Sequence, residues 1–104
     1  MSRRTKPTHL RNFLYGIYGS LTLYVMKLSV ISLSGIQFDG EVVLLNLKTT
    51  SGEITVLDNH RPLVTALKKG KATVIKEDGT KLNFDIESGF LEVSERNQAT
   101  ILAG

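Results

Sequence analysis

The run Lys81-Leu-Asn-Phe-Asp-Ile-Glu87 alternates apolar and polar residues without a break. A helix face needs apolar residues three and four apart, so a strict period of two excludes a helix here. It describes a strand with Leu82, Phe84 and Ile86 on a dry face and Lys81, Asn83, Asp85 and Glu87 on a wet one. The neighbouring run Lys71-Ala-Thr-Val-Ile-Lys76 is a matching partner, and Asp78-Gly79 between them suits the positive backbone angles of a tight hairpin.

The same texture continues from Met26 to the end. Met26–Ser32, Glu41–Lys48, Ile54–Leu57, Leu63–Leu67, Phe90–Val93 and Ala99–Leu102 are short apolar runs, the second long enough for a central strand. Turn signals fall at Ser34-Gly35, Gly40, Ser51-Gly52, Asp58-Asn59, Gly70, Asp78-Gly79 and Arg96-Asn97. No helical periodicity of any length intervenes. The pattern predicts an all-β fold, a two-sheet β-sandwich of about ten short strands. Its predicted core is Leu28, Val30, Val43, Leu45, Ile54, Val56, Leu63, Val64, Leu82, Phe84, Ile86, Leu91, Val93 and Ile101. Each aliphatic side chain buried there contributes about 2 kcal/mol.

With 104 residues there is room for one domain. Cysteine is absent, so there is neither a disulfide framework nor thiolate chemistry. The formal net charge of +3 is unevenly placed. Residues 1–25 hold Arg3, Arg4, Lys6 and Arg11 and no acid; residues 26–104 carry nine basic and ten acidic groups. A nearly neutral body does not supply the clustered positive surface that nucleic acid requires.

Residues 1–25 read as an N-terminal extension to a domain at 26–104. Phe13–Val25 is uncharged but has 13 residues, against the roughly 20 apolar residues of a membrane-spanning helix. A basic front and an apolar middle suit a secretory signal, yet Leu23-Tyr24-Val25 is too bulky for a cleavage site. Ser2-Arg3-Arg4 is similar to a twin-arginine start, but Lys6-Pro7-Thr8 follows it where apolar residues belong. A targeting or tethering segment and a start assigned upstream of Met26 both remain open.

Catalytic groups are scarce. His60 is the one histidine after residue 25, so a zinc site lacks its usual ligands. Ser51, His60 and Asp58 make a triad only on paper, since nothing around Ser51 resembles a nucleophile elbow. The glycines come one per turn, not as a phosphate cradle. On residue chemistry alone His60 is a turn residue bonded to nearby backbone, Glu53 an exposed acid beside a turn, and Lys68, Lys69 and Lys71 a solvated edge. No cofactor is indicated.

In order and spacing, Lys27-Leu-Ser-Val-Ile31, Ser51-Gly-Glu-Ile-x-Val-Leu57, His60-x-Pro-Leu-x-Thr65, Gly89-Phe-Leu-Glu-Val93 and Ala99-Thr-Ile-Leu-Ala103 resemble the amino-terminal β-sandwich of the epsilon chain of F-type ATP synthases. The resemblance covers residues 26–104. It implies a non-catalytic rotor part of the central stalk that grips the gamma subunit and rests on the membrane c-ring, passing torque from proton flow to the catalytic head. It implies c-ring contacts at Thr50, Ser51 and Glu53, and gamma contacts at Ser32, His60, Pro62, Leu63 and Thr65. The implied location is the cytoplasmic face of a bacterial inner membrane, with the chloroplast thylakoid second. Such chains begin near the Lys27 pattern, which puts Met26 where a first methionine would sit.

Three departures stand out. The family's Pro-Gly before the histidine is Asp58-Asn59, its Lys-Pro-Gly is Lys68-Lys69-Gly70, and the sequence stops at Gly104, where the family continues into a helical domain that restrains ATP hydrolysis. Without that domain the expectation is coupling without autoinhibition. The alternative from another class is an exported β-sandwich ligand-binding module, with Phe38 the main aromatic available to stack on a sugar.

Overall fold

The computed structural model describes residues 25–104, and the expectations for residues 1–24 lie outside them. The described residues form eight strands and no helix. They are β1 (Met26–Ser32), β2 (Gly35–Thr49), β3 (Gly52–Val56), β4 (Leu63–Leu67), β5 (Gly70–Lys76), β6 (Lys81–Ile86), β7 (Gly89–Val93) and β8 (Gln98–Ala103).

Eight strands replace the expected ten or so because β2 runs for 15 residues straight through Gly40, an expected turn. Its first half pairs with β1, and its second half lies between β3 and β5. One strand thus serves both layers. The first layer is β3, the second half of β2, β5 and β6; the second is the first half of β2, then β1, β8, β7 and β4. β1 and β8 are parallel, and every other pairing is antiparallel. The pairing of Thr49 with Leu67 joins the two layers at the far end of β2.

Two register shifts in β2 correct the expected core. Leu44 pairs with Ile75 and Val42 with Lys76, which leaves Val43 as an extra residue on β2. Such a bulge resets the alternation of side chains. Val42, Leu45 and Leu47 therefore point inward together, while Val43 is only half-buried. A second bulge lies at Gln37, since Val30 pairs with Phe38 and Ile31 with Ile36. It puts Phe38 inside, edge-on to Phe84 with ring centroids 6.1 Å apart, and turns Ile36 outward. Phe38 is thus a half-buried ring packed against the core, and not the exposed aromatic that a sugar-binding module would need. Val64 is a further correction: on β4 it is Leu67 that is buried, with Leu63 packed against the core, so Val64 faces solvent. Besides Val42, Leu47 and Leu67, the core adds Met26, Ala72, Val74 and Ala99 to the expected set.

The expected hairpin of β5 and β6 forms, through a longer loop than a two-residue turn. Gly79 N–H donates to Lys76 C=O at 2.9 Å and Lys76 N–H to Thr80 C=O at 2.9 Å. Only Gly79, with φ 92°, is left-handed; Asp78 is not, and its carboxylate instead accepts from Thr80 N–H at 2.9 Å. This is a type I turn closed by a glycine bulge. The loop Ser94–Gln98 repeats it with Asn97 (φ 60°) as the left-handed residue.

Two substitutions test these features. Gly89 has φ 148°, and an added Cβ would collide with the backbone of Leu102 and Ala103 in β8. Gly89→Ala is expected to cost about 2–4 kcal/mol in urea denaturation. Asp85 is held below the usual carboxylate range by a hydrogen bond from Lys71 (2.7 Å) and then by its charge, and Asp78 chiefly by hydrogen bonds from Thr80. Depressed carboxylates stabilise fully above their unfolded values and lose that contribution as pH falls through the folded ones. The melting temperature of the unmodified chain should therefore fall more steeply between about pH 5 and pH 1 than that of the double variant Asp78→Asn/Asp85→Asn.

Candidate docking surfaces

The outer faces of the two layers differ in chemistry. Across the first layer, the register brings Asn83, Thr73, Asn46 and Thr55 into one row. Thr73 Oγ1 donates to Asn83 Oδ1 at 2.9 Å, and Asn46 Nδ2 to Thr55 Oγ1 at 2.9 Å. The Lys71–Asp85 pair lies beside this row. Here side chains hydrogen-bond one another across the strands, and a face this polar needs no cover.

Across the second layer, Ala66 pairs with Phe90, Phe90 with Leu102, Leu102 with Ile31, and Ile31 with Ile36. The alternate residues Leu91, Ile101 and Val30 are buried, so this row faces outward. Phe90 is 56% exposed, Leu102 51% and Ile36 68%, and Val64, one step along β4, is 72% exposed. Four gaps between strands make the row about 19 Å wide. A contiguous apolar band of this kind, as opposed to scattered exposed residues, marks an interaction surface.

The expected gamma-contact residues bracket this band. Ser32 follows Ile31 at one corner, where its hydroxyl accepts from Ser34 N–H and Gln37 Nε2–H, both at 3.1 Å. His60 and Pro62 precede β4 at the opposite corner, and His60 Nδ1 lies 2.8 Å from Arg61 O, as a turn histidine should. Leu63 and Thr65 share the inward side of β4 with Leu67 and are half-buried. The exposed members of the strand are Val64 and, in part, Ala66. The band's main residues, Phe90, Leu102, Ile36 and Val64, were not singled out from sequence as contacts. The one available signal was that Phe90 and Leu102 alternate with Leu91 and Ile101.

The Thr50, Ser51 and Glu53 group sits at a turn beside the β4 end of the band. The turn between β2 and β3 is built on Thr49, a polar side chain only 2% exposed. Its hydroxyl donates to Gly52 C=O at 2.7 Å and accepts from Ser51 N–H at 3.0 Å, so both of its roles are filled. Thr50 N–H bonds Ala66 C=O and Lys68 N–H bonds Lys48 C=O, both at 3.0 Å, tying this turn to the one between β4 and β5. Thr50, Ser51 and Glu53 are all exposed. Glu53 pairs across the strands with Lys48, and a shallow open hollow of about 500 Å³ lies among Lys48, Thr49, Thr50, Gly52, Glu53 and Lys68. The tip thus offers both charge signs and hydroxyl groups on a short, braced turn.

The turn at Asp58-Asn59 is tightly held. His60 N–H donates to Leu57 C=O at 3.0 Å and Asn59 is left-handed at φ 62°, the third position that type II turns give to Gly or Asn. Asp58-Asn59 therefore makes the kind of turn that Pro-Gly would. Ser51 and His60 lie at opposite ends of β3, with Gly52–Val56 between them, so no triad assembles. Among the described residues no group of three or more His, Cys, Asp or Glu is placed to hold a metal ion. No helix among them is long and apolar enough to cross a membrane.

Comparison with known proteins agrees with this architecture. The profile of the family described as ATP synthase, Delta/Epsilon chain, beta-sandwich domain matches residues 25–104. Among curated relatives, the ATP synthase epsilon chain of Sulfurovum sp. (strain NBC37-1) is 34% identical over 80 residues, 77% of this chain and 62% of that one. The ATP synthase epsilon chain of Protochlamydia amoebophila (strain UWE25) is 38% identical over 76 residues, 73% of this chain and 51% of that one. This chain thus spans half to three-fifths of the length of these relatives. Among solved structures, a chain of the Euglena gracilis mitochondrial ATP synthase (OSCP/F1/c-ring in rotational state 1) superposes with a TM-score of 0.71 at 24% identity, covering 80% of this chain and 52% of that one. A chain of the Tetrahymena thermophila mitochondrial ATP synthase central stalk/c-ring gives 0.64 at 12% identity, covering 75% and 62%. At those identities the structural matches speak for the fold. Through its β-sandwich, the chain belongs to the delta/epsilon family of ATP synthase subunits.

Proposed function

We propose that this chain is a non-catalytic rotor subunit of a proton-driven ATP synthase, a collar between the gamma subunit and the c-ring. In this role it sits peripherally at the membrane, on the cytoplasmic face in a bacterium. The observation that carries the proposal is the contrast between the two outer faces: a hydrogen-bonded polar row on one, an uncovered apolar band on the other. A sandwich that acted alone would gain nothing from leaving Phe90 and Leu102 in water. Gamma covers the band, with Ser32 and His60 as polar groups and Pro62 as a rigid one at its rim. A collar that resists torque is best served by such a broad apolar centre with polar edges, because sliding it costs many contacts at once. The braced tip at Thr50, Ser51 and Glu53 meets the c-ring loops, where the Glu53 carboxylate takes basic or polar partners.

Two variants test the two surfaces separately. Mixed with cognate gamma, the chain should co-elute in gel filtration at micromolar concentration, and Phe90→Lys should abolish co-elution. Because Phe90 is exposed, that variant should change folding stability by about 1 kcal/mol or less. Separate elution of the unmodified chain would sink the proposal. Glu53→Lys should leave gamma binding and the melting temperature unchanged while lowering proton-coupled ATP synthesis in reconstituted vesicles. Normal coupling in that variant would remove Glu53 from the c-ring surface.

A further inference from the structure

We infer that Asn97 is a positioning residue for the gamma-facing turn at Asp58–His60, an inference that rests on the gamma reading above. Asn97 lies in the β7–β8 loop, far from that turn in sequence, yet its side chain spends every polar group on it or beside it. Its Oδ1 accepts from Asn59 N–H at 2.7 Å. Its Nδ2 donates both to Asp58 Oδ1 and, at 3.0 Å, to Val25 C=O. The backbone joins in, since Asn97 C=O accepts from Lys27 N–H at 3.2 Å. One side chain therefore ties its own loop to partners 38, 39 and 72 positions away in the chain.

The short amide of asparagine suits all of these contacts. It supplies two donors and an acceptor in one plane, and asparagine tolerates the left-handed φ of 60° that the loop requires. An aspartate would keep the acceptor, lose both donors and set a second carboxylate against Asp58. Glycine would keep the backbone shape and remove all three side-chain bonds. Because the turn it holds carries His60 and leads directly into Pro62 and β4, the grip of Asn97 sets where the rim of the apolar band stands. Asn97 itself need not touch gamma.

The Asn97→Gly variant separates the two roles, since the loop keeps its φ and loses only the tether. In the full chain, amide hydrogen exchange at Asn59 and His60 should speed up about tenfold, the factor of roughly one net hydrogen bond. Exchange in the β5–β6 hairpin should not change. Affinity for gamma, measured by calorimetry, should fall by a similar factor, and Asn97→Asp should be at least as weak. Unaltered gamma affinity in a folded Asn97→Gly chain overturns the inference. Should that variant fail to fold, Asp58→Ala, which takes one of Asn97's partners, and the contact of Asp58 with Asn59, from the half-buried turn, decides in the same way: weaker binding with faster exchange at His60 supports the inference, and unchanged values overturn it. Failure of the unmodified chain to bind gamma would count against the gamma reading and against this inference's link to it. The exchange data alone would then still decide whether Asn97 orders the turn.

Discussion

Strand β2 belongs to both layers of the sandwich, and most of what is distinctive in the molecule follows from how it does so. It leaves β1, bends past Gly40 and enters a second set of partners, β3 and β5. One unbroken period of two along this sequence would not place apolar residues inward beside both sets of partners, since either face of β2 would carry polar side chains in one half. The bulges at Gln37 and Val43 make that correction. With them, Phe38, Val42, Leu45 and Leu47 all reach the core or pack against it. Without them, half the strand would present polar atoms inward.

The same correction has a consequence on the outside. By turning Ile36 away from the core, the Gln37 bulge extends the apolar row of β4, β7, β8 and β1 onto a fifth strand. In the first layer the Val43 bulge turns Asn46 outward, and the outer row of Asn83, Thr73, Asn46 and Thr55 is closed by its own hydrogen bonds. A domain with one finished face and one unfinished face is built to be covered on one side. The loops follow the same division of labour: Thr49 braces one tip from within, and Asn97 holds the Asp58–His60 turn from across the fold.

Much of this was legible in the sequence where a local rule has no competitor. Lys81–Glu87 declared itself by alternation, and every expected turn except Gly40 falls at or beside a break between strands. His60 was legible as a turn residue bonded to nearby backbone, as its contact with Arg61 shows. Ser51 and Glu53 were legible as residues of an exposed turn from the Ser51-Gly52 signal and the charge, whereas nothing local showed that Thr49 beside them is buried. Legibility failed where two residues compete for one place. Val42 and Val43 are chemically identical, and Leu63 and Val64 are both apolar enough for a core position, so composition cannot choose within either pair. Phe38 and Phe90 differ in exposure only because of what packs against each ring.

The sequence by itself determined the class of the fold and the places of its turns, because strand periodicity and turn chemistry act over a few residues. Tertiary structure alone decided which side of β2 and of β4 faces the core and which residues 38 to 72 positions apart meet at Asn97. Those outcomes depend on register and bulges, and a shift of one residue exchanges inside for outside. The apolar band is the sum of five such decisions on five strands, and so it exists only in the folded sheet.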